Sequence, residues 1–142
     1  MTTATSSGST IIPCLRYRDA RAAISWPSKA FGFAQQAVYE NEQGRVEHAQ
    51  LTWGSGMIML GEVSDNDFGQ HIAQPDEIGG RETQCACVIV KDVKAHYLQA
   101  RAAGAVIVND YAEKEYGGAG YSCHDPEGHL WYFGSYDPWQ VG

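Results

Sequence analysis

The chain has 142 residues, 44 % of them apolar and 19 % charged, a globular composition well away from that of disordered chains. At this length folding buries about two thirds of the surface that the unfolded chain exposes, enough for one compact domain or two closely packed modules. The formal net charge of −7 opposes binding to polyphosphate, so neither nucleic acid nor an anionic membrane is expected as a partner.

Residues 1–9 are polar, without a basic start or an apolar centre, and read as a flexible tail rather than an export signal. The apolar runs fall far short of the roughly 20 residues that span a bilayer. Four cysteines, Cys14, Cys85, Cys87 and Cys123, lie inside apolar stretches. Together these features predict reduced thiols and a cytoplasmic location.

Strands are predicted near 10–17, 34–42, 46–53 and 57–62, with a helix from 20 to about 31. Asp19 is placed to cap that helix and Gly32 to end it in the left-handed conformation. Pro27 falls inside the helical pattern, where a missing N–H should kink or shorten it. Residues 63–82 are rich in Asp, Gly, Gln and Pro without periodicity and read as a linker that also covers a site. The second half repeats the first: strands near 83–91, 105–110, 119–124 and 129–135, and a helix from 93 to about 103. Its punctuation recurs at a fixed offset, 73 positions from Asp19 to Asp92 and 72 from both Gly32 to Gly104 and Gly56 to Gly128. Two β-α-β-β-β modules follow, at 10–62 and 83–139, forming one α+β domain.

Alternation assigns the faces. In strand 46–53, Ala49, Leu51 and Trp53 are expected under the helix, leaving His48, Gln50 and Thr52 on the far side. In the same way Cys85, Cys87 and Ile89 oppose Ala86, Val88 and Val90, and Ile12, Cys14 and Arg16 oppose Ile11, Pro13 and Leu15. His48 is then either a ligand donor or base, or a strand histidine bonded to backbone. Cys14, Cys85 and Cys87 are either a converging thiol site or small hydrophobes. Ser122 and His124, by the 72-residue offset from Gln50 and Thr52, would line the second half of the same cavity, unless His124 instead stabilises the Asp125-Pro126 turn.

The stretches Tyr-Arg-Asp-Ala-Arg-Ala-Ala-Ile, His-Ala-Gln-Leu with Met-Ile-Met-Leu-Gly, Val-Ile-Val-Lys-Asp-Val-Lys-Ala-His-Tyr and Asp-Pro-Glu-Gly-His-Leu-Trp-Tyr-Phe-Gly carry a resemblance. In this order and spacing the chain resembles the vicinal oxygen chelate superfamily, the glyoxalase, bleomycin-resistance and extradiol-dioxygenase group, and within it a glyoxalase-like bacterial branch. The resemblance implies mixed sheets that curl around a pocket, and homodimers. It also implies a divalent metal held by His or Glu at four positions, which fall here on Ile12, Leu60, Cys85 and Tyr132. Isoleucine and leucine cannot ligate, so no metal and no cofactor are expected. The site expected is a ligand pocket containing Cys14, His48, Gln50, Cys85, Cys87, Ser122 and Tyr132. The function implied is metal-independent binding of a small molecule, as in proteins that sequester an antibiotic or toxin. The alternative is a lyase, isomerase or dioxygenase of the same superfamily with a relocated metal site.

Overall fold

Asp19 and Asp92 cap the two helices: each carboxylate accepts a 3.1 Å hydrogen bond from the backbone N–H three residues on, at Ala22 and Ala95. Gly32 and Gly104 follow the helix ends with φ of +88° and +101°, the left-handed position expected of them. The computed structural model describes residues 8–140; most of the expected tail, residues 1–7, lies outside them. The chain divides into two compact units between Ile72 and Ala73.

The first unit contains β1 (Cys14–Tyr17), α1 (Ala20–Ala30), β2 (Ala34–Glu40), β3 (Val46–Trp53) and β4 (Gly56–Glu62), with a short 3-10 turn at Gly69–His71. Its sheet is open and mixed, in the order β1-β4-β3-β2, with β1 parallel to β4 and the other pairs antiparallel. β1 starts later than expected because Pro13 has no N–H for the ladder, although its carbonyl still accepts from Met59. α1 runs through Pro27 for three more residues. The proline sits in the last turn, where it forfeits only the bond to the Ala23 carbonyl, and its own carbonyl accepts from Phe31 and Gly32.

The second unit repeats this plan with β5 (Ala86–Ile89), α2 (Val93–Ala102), β6 (Val106–Glu113), β7 (Ala119–His124) and β8 (Leu130–Gly134), after a 3-10 turn at Pro75–Ile78. Its sheet order is β5-β8-β7-β6, again open, with β5 parallel to β8. Each unit is therefore a β-α-β-β-β module of an α+β fold.

In each unit the helix covers one face of its own sheet. α1 lies over Tyr17, Val46, Ala49, Leu51, Ile58 and Leu60, all buried. α2 supplies Val93, His96, Tyr97 and Ala100 against Tyr121, Cys123, Trp131 and Phe133. Within that second core the His96 ring lies 4.4 Å from Phe133 and its Nδ1 is 2.6 Å from the Tyr121 hydroxyl, so the buried polar atoms satisfy each other. No helix among the described residues is long and apolar enough to cross a membrane.

Candidate functional site

The faces turned away from the helices carry the candidate residues. Ladder register sets one row across each sheet. In the first unit it runs Cys14, Met59, Gln50, Ala37; in the second it runs Cys87, Tyr132, Ser122, Asn109. The 72- and 73-residue offsets of the sequence thus return as equivalent places on equivalent strands.

Beside the first row, His48 meets Gln50 directly, with Nε2 to Oε1 at 2.8 Å, and Gln50 donates to Gln36. Tyr39 stands opposite His48 with ring centroids 5.8 Å apart. Arg16 donates to the Glu62 carbonyl at 3.2 Å and lies 5.0 Å from the centre of the Phe68 ring. Cys14 is exposed rather than packed as a small hydrophobe, because β1 is an edge strand and the thiol faces away from α1.

In the second row Ser122 donates to Asn109 Oδ1 at 2.7 Å, the counterpart of the Gln50–Gln36 pair. Gln36 is the unpaired residue at the register shift of β2, whereas Asn109 is paired with Ser122 between two shifts of β6, so in each unit an irregularity lies beside the amide that the third strand meets. Beside them Tyr132 lies down along the sheet. A Cβ at Gly120 would collide with its hydroxyl, and one at Gly134 would come within 2.9 Å of Cε1. The Tyr132 hydroxyl meets that of Tyr116 at 3.1 Å, and Tyr116 in turn packs edge-on against Tyr136. Burial, then the hydrogen bond with Tyr116, pushes the Tyr132 phenol up to about 12. Burial also raises both thiols, with the Glu82 charge adding at Cys85 and Cys85 adding at Cys87.

Gln36, Tyr39, Asn109 and Tyr116 were not among the sequence candidates. The repeat offset was the signal that could have found Gln36 and Asn109, which lie 73 positions apart. A separate crevice of about 640 Å³ at the start of α2 is lined by Lys91, Asp92, Lys94, Tyr111, Lys114 and Ser135 and includes none of the candidates.

The donor set does not fit the divalent metal that the resemblance implies. Ile12 has no lone pair to offer. Leu60 is 3 % exposed on the helix side of β4, and the residue facing the other way is Met59, whose thioether is a soft donor. Cys85 and Tyr132 hold their protons more tightly than free thiols and phenols do. Among the described residues no three His, Cys, Asp or Glu side chains gather into a group that could hold a metal.

The family model described as the Glyoxalase/Bleomycin resistance protein/Dioxygenase superfamily matches residues 10–133. An uncharacterized protein of Mycobacterium bovis is 29 % identical over 122 residues, which cover 86 % of this chain and 80 % of that protein. The crystal structure of TioX from Micromonospora sp. is 31 % identical, with a TM-score of 0.70 over 89 % of this chain and 98 % of that one. A fosfomycin resistance protein from Mesorhizobium loti shares the fold at 10 % identity, with a TM-score of 0.64 over 93 % and 95 % of the two chains.

Proposed function

Since the chain belongs to the glyoxalase/bleomycin resistance protein/dioxygenase superfamily, we propose that it binds a planar small molecule without a divalent metal, sequestering an antibiotic or toxin instead of converting it. The observation that carries this reading is Tyr132. Where the resemblance places a metal ligand, this chain lays a phenol ring along the sheet over Gly120 and Gly134. A ring held in that way offers a face for offset stacking, worth about 0.5–1.5 kcal/mol beyond the area it buries. The net charge of −7 favours a cationic ligand, both by attraction at a distance and through contact of the cation with the ring face.

The remaining residues of the rows bind and orient. Asn109, fixed by Ser122, and Gln50, fixed by His48 and Gln36, present amide groups on the same faces as Tyr132 and Met59. With Ile12 and Met59 on the open face where the resemblance expects metal ligands, stacking and hydrogen bonds from the chain's own side chains are left to hold the small molecule. The working unit of this proposal is a homodimer in the cytoplasm.

Fluorescence polarisation of ethidium and acridine orange, titrated with metal-free protein, tests the reading. Saturable binding is expected, unaffected by EDTA, weakened by Tyr132→Ala and followed by recovery of unaltered dye. Sedimentation should show a dimer. About one equivalent of zinc, iron, manganese or nickel in the purified protein, with binding abolished by chelation, would overturn it and make His48 and Cys85 the first residues to replace.

A further inference from the structure

Stacking on Tyr132 leaves the chemistry of two thiols unused. Cys87 lies in β5 and Cys85 immediately precedes that strand, so the two-residue period turns both toward the face away from α2. Both are exposed and stand two positions apart at the start of an edge strand, which leaves the two side chains open to solvent and free to turn toward one ion. Glu82, the carboxylate whose charge acts on Cys85, is engaged elsewhere: one oxygen accepts from the Leu130 N–H at 2.6 Å and the other meets His129 Nδ1 at 2.8 Å. The pair is left to sulfur, with no third His, Cys, Asp or Glu completing a metal-holding group among the described residues.

Two sulfurs alone do not satisfy zinc, which takes four ligands or three with an open place. Nor is the spacing favourable for a disulfide. Two residues along a strand separate the α-carbons by about 6.6 Å, near the upper end of the roughly 4.4–6.8 Å that disulfides span and away from their commonest separation. A linear two-coordinate ion relaxes that requirement, because two metal–sulfur bonds in line hold the sulfurs twice a metal–sulfur bond length apart, where a disulfide needs them directly bonded. Thiolate donors select soft ions of this kind, Cu(I) first among the biological metals.

We propose that Cys85 and Cys87 bind one soft monovalent cation, Cu(I) or its chemical relative Ag(I), as a linear bis-thiolate. Each S–H bond breaks as a sulfur–metal bond forms, and the two protons pass to solvent. The ion enters and stays monovalent, so no electron moves, and the assembly carries one net negative charge. Tyr132, whose backbone is the ladder partner of Cys87, stands beside the site as a neutral phenol.

The test is an anaerobic titration of the full chain with Cu(I) in competition with bicinchoninate. One ion per chain is expected, with none retained by Cys85→Ser or Cys87→Ser at the same free concentration and full retention by Cys14→Ser. X-ray absorption of the loaded protein should show two sulfur neighbours. Independently of any variant, Cu(I) should protect Cys85 and Cys87 from N-ethylmaleimide while Cys14 stays reactive. Retention of copper by either β5 variant, its loss from Cys14→Ser, three or more sulfur neighbours, or equal labelling with and without copper would each overturn the assignment. Dye binding is measured on metal-free protein, so the two proposals succeed or fail separately.

Discussion

The hydroxyl of Tyr132 occupies the space that a Cβ at Gly120 would need, although the two residues lie on neighbouring strands and are not direct ladder partners. Gly120 has no positive φ, so its lack of a side chain matters for clearance and not for backbone freedom. Gly134, two residues beyond Tyr132 on the same strand, clears the path of the ring. Together they convert a side chain that would stand off the sheet into one that lies along it.

Gly120→Ala is therefore expected to lift the Tyr132 ring and break its contact with Tyr116. The overpacking should destabilise the protein by about 1–3 kcal/mol and weaken dye binding nearly as much as Tyr132→Ala does. Urea unfolding and dye polarisation measure the two effects. An unchanged dye affinity in a folded Gly120→Ala protein would show that the ring's posture is irrelevant to binding.

Much of this plan is legible in the sequence because its punctuation is local. Asp19 and Asp92 cap helices, and Gly32 and Gly104 end them, through contacts within a few residues of chain, and these recur at a fixed offset. The open-face row is legible only in part. The resemblance puts Leu60 at the position equivalent to Tyr132, whereas the ladder pairs Cys14 with Met59 and Cys87 with Tyr132. A shift of one residue moves a strand side chain to the opposite face, so an offset that wavers between 72 and 73 cannot settle which face a residue occupies. The register shifts at Gln36 and beside Asn109, and the clearance of Tyr132 by two glycines, depend on pairing between strands and leave no local mark.

Tyr97 and Asp110 link α2 to β6, the phenol donating to Oδ1 of the carboxylate. That bond is the first cause of both shifts: it holds the Asp110 carboxyl below its ordinary range and pushes the Tyr97 phenol up. For Asp110, lowered on folding, the contribution is present above the unfolded value and lost as pH falls through the folded one. For Tyr97, raised on folding, it is present below the unfolded value and lost as pH rises through the folded one. Urea midpoints of the parent protein should thus exceed those of Tyr97→Phe at neutral pH. The difference should shrink as pH falls below the ordinary carboxyl value of 3.8 and as it rises above the ordinary phenol value of 10.0. A difference that stays constant across this range would assign the effect to packing alone.

Asp125, 4 % exposed, organises the turn before β8 with both oxygens. Oδ1 accepts from the N–H groups of Glu127 and His129, each at 3.0 Å, and Oδ2 accepts from Trp131 Nε1 at 3.1 Å. Asp125→Ala takes this carboxylate from the buried indole N–H and from two turn amides at once, and should cost about 3 kcal/mol. Trp131→Phe in the Asp125→Ala background should cost less than it does in the parent, because the hydrogen bond it removes is already gone. Equal costs in the two backgrounds, measured by urea unfolding, would mean that the indole does not depend on this carboxylate.

The pairs Gln50–Gln36 and Ser122–Asn109 are related devices, a side chain of the third strand of the module donating to an amide oxygen of the second beside a register shift. They differ in what is left over. Ser122, 6 % exposed, gives its hydroxyl hydrogen to Asn109, so the NH2 of Asn109, which is exposed, is the group turned outward. Gln50 is held from both sides, by His48 and by Gln36. Asn109→Ala should therefore reduce dye affinity as well as stability, whereas Ser122→Ala should act on affinity only through Asn109. In a double-mutant cycle the stability coupling between Ser122 and Asn109 should be about 0.5–1.5 kcal/mol. The dye affinity of Asn109→Ala should not fall further when Ser122→Ala is added. A further fall would give Ser122 a contact of its own with the ligand and would leave Asn109 as its neighbour, not its agent.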